Sequence, residues 1–303
     1  MKKTAFISFI SLIMPVLVSA QSLPFIAADH DPSTLAKGGA GLTQTSDIAY
    51  SAFGNAAAVP FSDHKGDFAA GYSMWTPSGV TSNILNVAGA YNIKQKIGIT
   101  AGFSYGMNPA YDIYDPSGVK KGQFKPSDMH VKVGVAYRFL PFLSLGANVG
   151  YASSALAEGS SYGSLDADVF LMARFAGFKV AAGVSDLGTG ITSAAGTKYP
   201  LPTAGALGLG YETTFAEEHS IDAQVDAEYY FAGAFGASLG AAYTYHDLVS
   251  VRAGYRYGGQ SVLPSFISFG AGVHFKGAKI DVAYLLGNSP IANTFAVSLG
   301  YCF

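Results

Sequence analysis

Apolar and polar residues alternate with a period of two from about residue 65 to the end of the chain. "SIDAQVDAEYYF" places Ile221, Ala223, Val225, Ala227, Tyr229 and Phe231 on one face and Asp222, Gln224, Asp226 and Glu228 on the other. "HVKVGVAYRF" sets Val131, Val133, Val135, Tyr137 and Phe139 against Lys132, Gly134, Ala136 and Arg138. "LVSVRAGYRYG" sets Val249, Val251, Ala253, Tyr255 and Tyr257 against Ser250, Arg252, Gly254 and Arg256. A period of two is the signature of β-strands with one apolar face. The pattern predicts about fourteen strands, beginning near residues 66, 83, 97, 127, 142, 163, 177, 201, 219, 235, 248, 265, 278 and 293.

That many apolar faces exceed what one water-soluble core can cover, whereas a ring of lipid would cover them all. The connections agree. Short ones at 94–96, 140–142, 176–177, 247–248 and 277–278 alternate with mostly longer ones at 106–126, 153–161, 187–200, 259–264 and 287–292. In outer-membrane barrels the short turns face the periplasm and the long loops face outward. An even strand count lets the last strand pair with the first and abolishes the sheet edges. Tyr105 and Tyr151 then fall at outer ends, and Tyr91, Tyr137 and Tyr301 at periplasmic ends, as in two aromatic girdles. The fold expected is an all-β, transmembrane antiparallel barrel of about fourteen strands.

Composition sharpens this. Charged residues are 13% and hydrophobic residues 50%, with 37 Gly and 19 Tyr against one Trp. A net charge of -2 gives no field to recruit nucleic acid. Cys302 is the only cysteine, so no internal disulfide or multi-cysteine metal site is expected. Lys2 and Lys3, an apolar stretch to about Val18 and "VSA" before Gln21 form a secretory leader, with cleavage expected near Ala20. Gln21 stands where a lipoprotein would have Cys, and no later run is long enough for a helical span. The chain divides into a signal peptide (1–20), a segment before the first strand (21–64) and the barrel (65–303), placed in the outer membrane. No His-Glu-x-x-His pair, nucleophile elbow or phosphate loop stands out and the six histidines are scattered, so no enzyme, catalytic residue, metal or cofactor is expected.

A bore of about fourteen strands is too wide for its own side chains to fill. Small residues at inward positions, among them Gly98, Gly102, Gly134, Gly146, Gly240, Gly254, Gly270 and Gly272, leave further room. The segment 21–64 is the candidate occupant, a hatch in the lumen. Thr45 or Ser46 is expected to cap a short helix from near Asp47, with Phe53 on one face and Pro60 turning the chain toward the barrel. Asp222, Asp226 and Glu228, with Arg252 and Arg256 two strands on, face the lumen. They either pair with one another or the hatch, or form a polar binding or conduction path. Asp166, Asp168 and Arg174 repeat the arrangement.

Gly38-Gly39-Ala40-Gly41, then Asp47, then "AYSAFGNAAAV" at 49–59, resembles the N-terminus of the FadL/PorV superfamily of outer-membrane barrels. Asn55 is followed by Ala56 where that family commonly has Pro, and Asp47 by Ile48 where it has Ala. The resemblance implies fourteen strands with an N-terminal hatch carrying Gly38, Gly39, Gly41, Asp47, Phe53 and Asn55. Length and loop sizes look most like the PorV/PorQ group, which implies a non-enzymatic accessory barrel of type IX protein secretion or surface attachment. Its partners would be secretion-system or cargo proteins, met first by Tyr111, Tyr114 and Phe124 of the longest loop. A FadL-like transporter with a hydrophobic ligand and a plugged or narrow porin are the alternatives. The final strand, ending at Tyr301 and Phe303, resembles the signal read by the barrel insertion machinery and is expected to close the ring.

Overall fold

The computed structural model describes residues 22–75, 82–192, 196–259, 264–287 and 293–303. The expected leader therefore lies outside the described residues, as do parts of four loops at the end opposite Phe303.

In chain order the strands are β1 (Gly66–Trp75), β2 (Ser82–Ile93), β3 (Ile97–Met107), β4 (Tyr111–Tyr114), β5 (Lys120–Phe124), β6 (Ser127–Leu140), β7 (Leu143–Ala157), β8 (Ser160–Phe175) and β9 (Phe178–Gly188). There follow β10 (Ile191–Thr192), β11 (Lys198–Tyr199), β12 (Ala204–Phe215), β13 (His219–Tyr230), β14 (Ala234–Tyr245), β15 (Val249–Gly258), β16 (Phe266–Phe275), β17 (Ala278–Gly287) and β18 (Thr294–Cys302). Fourteen of them form one closed antiparallel barrel, while β4–β5 and β10–β11 are small hairpins in the loops. Each barrel strand begins within a few residues of the position expected from the alternation.

Closure is made by β1 against β18, with Phe68 opposite Tyr301 and Gly71 opposite Ser298. The chain end belongs to this seam. Phe303 N donates to Gly66 O, and Phe303 O accepts from Lys65 N and Gly66 N. The Phe303 ring stacks on Phe68 at 6.1 Å and occupies the space that a Cβ on Gly66 would need.

The walls invert the usual partition. Val131, Val133 and Val135 are exposed, while His130, Lys132 and Ala136 beside them are buried. Arg252 and Arg256 are buried between exposed Val251, Tyr255 and Tyr257. A water-soluble globule hides its aliphatic side chains and solvates its charges; a barrel set in lipid does the reverse.

Two loops differ from the sequence reading. The 106–126 connection carries its own hairpin, β4–β5. The 153–161 connection shrinks to a turn at 158–159, because β7 and β8 stay paired out to Ala157 and Ser160.

Residues 22–64 hold one turn of helix, α1 (Pro32–Leu35), and three short 3-10 stretches, Pro24–Ala27, Ala49–Phe53 and Ala56–Phe61. They pack against inward positions all round the ring: α1 on β16, β17 and β18, Ala49–Phe53 on β1, β2, β3 and β6, and Ala56–Phe61 on β2, β3, β6, β7 and β8.

Candidate functional site

The fit of this segment to the wall begins with glycine. A Cβ on Gly254 would lie 2.0 Å from Lys37 C, one on Gly146 2.3 Å from Ala57 N, and one on Gly102 2.6 Å from the Phe53 ring. These inward glycines let backbone approach backbone, so the room they leave is taken up by residues 37–57. Within the segment, Gly38 and Gly39 adopt φ of 73° and 82°, a region costly for residues with a Cβ. At Gly41 a Cβ would stand 1.9 Å from Thr34 Cγ2.

Polar bonds fix the rest. Asp226 Oδ2 accepts from Gly41 N at 2.7 Å and Leu42 N at 2.9 Å. Lys37 Nζ donates to Gln44 Oε1 at 2.6 Å and Asp222 Oδ2 at 3.1 Å, and Asp222 also takes Lys179 at 3.2 Å. Asp47 lies 3.1 Å from Lys279 Nζ and 3.6 Å from Arg252. Asn55 Oδ1 caps Ala57 N, and its amide donates to Leu42 O. Phe53 sits edge-on to His30 at 4.5 Å.

The helix expected from near Asp47 is a correction. The stretch Ala49–Phe53 is 3-10 and has no side-chain cap of its own. The Ile48 and Ala49 amides instead donate to Asp67 Oδ2 of β1, at 2.8 and 3.0 Å. The α-helical turn lies earlier, capped by Asp31 on Ser33 N with Pro32 in the first position. Pro60 lies inside the last 3-10 stretch.

The lumen charges divide into four groups. Arg256 Nη2 donates to Glu228, whose Oε2 also accepts from Tyr230 Oη at 3.0 Å. Arg252 pairs with Asp281 at 2.6 Å as well as with Asp47. Asp222 and Asp226 bind the segment as above. Asp166 and Asp168 do not pair with Arg174, which donates to Phe61 O. They converge with Asp186 on Lys132 Nζ at 3.0, 2.8 and 3.1 Å. Sequence reasoning missed the lysines that carry much of the positive charge: Lys37, Lys132, Lys179 and Lys279. Lys132 was detectable as an inward position of the β6 alternation; Lys37 had no local signal. A Gly-x-Ser-x-Gly spacing occurs at 102–106, 159–163 and 236–240. The first and last lie inside unbroken strands and the second runs from the β7–β8 turn into β8, so none makes a strand-to-helix elbow; Ser238 Oγ accepts from Arg256.

Between the segment and the wall lies a cavity of about 200 Å³ at the end of the barrel opposite Phe303. Leu35, Phe53, Trp75, Phe170 and Leu285 give it an apolar lining, and Asp29, Glu228, Tyr230 and Arg256 contribute polar groups. Burial, with the neighbouring charge of Asp31, pushes the Asp29 carboxyl up to about 7. Asp29 therefore holds its proton more tightly folded than unfolded. Stability of the segment is expected to fall as pH rises from about 4 to about 7. Melting curves across that range should show the slope, and Asp29→Asn should reduce it. The ion pairs of Asp47, whose carboxyl is held down by Lys279 and Arg252, fail only below this window.

Of the proposed loop contacts, Tyr114 is 59% exposed. Tyr111 faces Phe124 across the hairpin at 5.8 Å, and its hydroxyl donates to Leu156 O.

No protein-family model matches the chain, and no curated protein sequence does either. Solved structures do match. The toluene transporter TbuX of Ralstonia pickettii is 13% identical, with a TM-score of 0.63 over 90% of this chain and 97% of that one. The toluene transporter TodX of P. putida is 14% identical, with a TM-score of 0.64 over 90% and 98%. A FadL homologue of Pseudomonas aeruginosa is 12% identical, with a TM-score of 0.53 over 90% and 98%. The chain thus shares the barrel fold of these transporters and of the FadL homologue. None of these neighbours is of the PorV/PorQ group.

Proposed function

We propose that this chain is an outer-membrane barrel that takes up small hydrophobic compounds, with residues 22–64 as its hatch. The observation that carries the reading is the cavity above that segment, where apolar side chains of the segment and of several strands meet with polar groups set among them, as in ligand sites. The shared fold with two toluene transporters supports it. The exposed aliphatic belt supports lipid around the barrel, and the short turns at the Phe303 end support a periplasmic position for it. A strain lacking the chain should take up labelled toluene several-fold more slowly than the complemented strain. Equal rates would remove the reading.

A second reading, an accessory barrel of protein secretion or surface attachment, draws on the Gly38–Gly41 and Asp47 resemblance and on exposed Tyr114 in the β4–β5 hairpin. It predicts that an envelope protein co-purifies with the native chain and is lost on Tyr114→Ala.

A further inference from the structure

We propose that the cavity takes a neutral, single-ring aromatic compound bearing a hydroxyl group, and turns away carboxylates. The inference rests on the uptake reading and names its cargo class.

Size comes first. A cavity of about 150 Å³ lined by aliphatic and aromatic side chains holds benzene. The volume here, about 200 Å³, is enough for one ring with a short substituent.

Charge decides what the substituent is. Arg256 is the one basic residue among the described residues lining the cavity, against Asp29, Asp31, Asp47, Asp186 and Glu228. Arg256 is already matched by Glu228. Beyond the lining, Lys132 is held by three carboxylates and Lys279 by Asp47 and Asp67. An incoming carboxylate finds no cation to spare and several acids nearby. Of those acids Asp47, Asp186 and Glu228 are already matched by Lys279, Lys132 and Arg256, and Asp31 is bonded to Ser33 and Gln44, so an ammonium would give up its hydration for little return.

A hydroxyl fits what remains. Glu228, Tyr230 and Arg256 form one bonded group on the cavity wall. Arg256 Nε is sealed from the cavity, whereas the Glu228 side chain is 24% exposed and Glu228 and Tyr230 both line it. A ligand hydroxyl can donate to the Glu228 carboxylate, while its ring meets Phe53 and Phe170.

The chain carries its own probe. Trp75 is the only tryptophan and lines the cavity. The full chain in detergent or nanodiscs is titrated with p-cresol, toluene, benzoate and benzylamine while Trp75 emission is followed. Saturable p-cresol binding is expected, about tenfold tighter than toluene, the margin one hydrogen bond to a charged group gives. Benzoate should give no saturable change. In Arg256→Met/Glu228→Gln the cresol-to-toluene ratio should fall to about one. Cresol no tighter than toluene, benzoate or benzylamine binding as well as cresol, or an unchanged ratio in the variant would each overturn the proposal. If labelled toluene uptake stays intact in those cases, the uptake reading stands without it. Silence of Trp75 to all four compounds together with absent uptake would end both.

Discussion

Lys132→Met is expected to destabilise the barrel by about 3–5 kcal/mol, the range for breaking one side of a buried ion pair. Lys132 is 2% exposed and is the shared cation of Asp166, Asp168 and Asp186. Replacing its ammonium with a thioether leaves three carboxylates crowded in a site closed to water. His130 Nε2, 3.1 Å from Asp166, can relieve one of them. Lys132 also ties β6 to β8 and β9 where the β8–β9 ladder slips register between Ala167 and Val169. Urea unfolding in detergent, read by loss of the heat-modifiable band, gives the shift. Lys120→Met, which breaks an exposed pair with Asp112 in the β4–β5 hairpin, should leave the midpoint unchanged within error. A Lys132→Met midpoint equal to the native one would show that the three carboxylates need no cation.

The second large effect concerns conduction. The native chain in a planar bilayer should give no stable conductance steps, and deletion of residues 22–64 should produce them. Gly254→Leu tests the same point without a deletion. Its Cβ would stand 2.0 Å from Lys37 C, a backbone atom that cannot rotate aside, so the segment must leave that wall. The Lys37–Asp222 and Gly41–Asp226 bonds lie close by and would be lost with it. Steps from the native chain as large as those of the deletion would return the molecule to the open porins.

The strands were legible because lipid and water impose the same period of two. Val131-Lys132-Val133 reads as a strand whichever face is wet. The β4–β5 hairpin was hidden by its short, mostly polar strands. Its turn was nonetheless written in Asp115-Pro116-Ser117-Gly118, where Asp115 Oδ1 accepts from Ser117 N and Val119 N. The long β7–β8 hairpin escaped because "SSALAEGSSYGS" lacks strong apolar alternation, and pairing alone carries the ladder outward. Capping near Asp47 was misassigned because the acceptor, Asp67, comes from another element. Lys37 meets Asp222 across 185 residues, a contact that exists only once the ring has closed. The cavity has the same origin. Trp75, Phe170, Tyr230 and Leu285 come from four strands, and no local spacing brings them together.

The account depends on lipid covering the outer face, and spin labels read that directly. Nitroxides are attached through cysteines placed at Val133, Leu239 and Ile280, which are 51%, 57% and 49% exposed and lie within β6, β14 and β17, in a Cys302→Ser background. In reconstituted membranes all three should collide readily with oxygen and rarely with a water-soluble nickel chelate. Free access of the nickel chelate at these positions would mean that water bathes the outside of the barrel, and the account would be wrong.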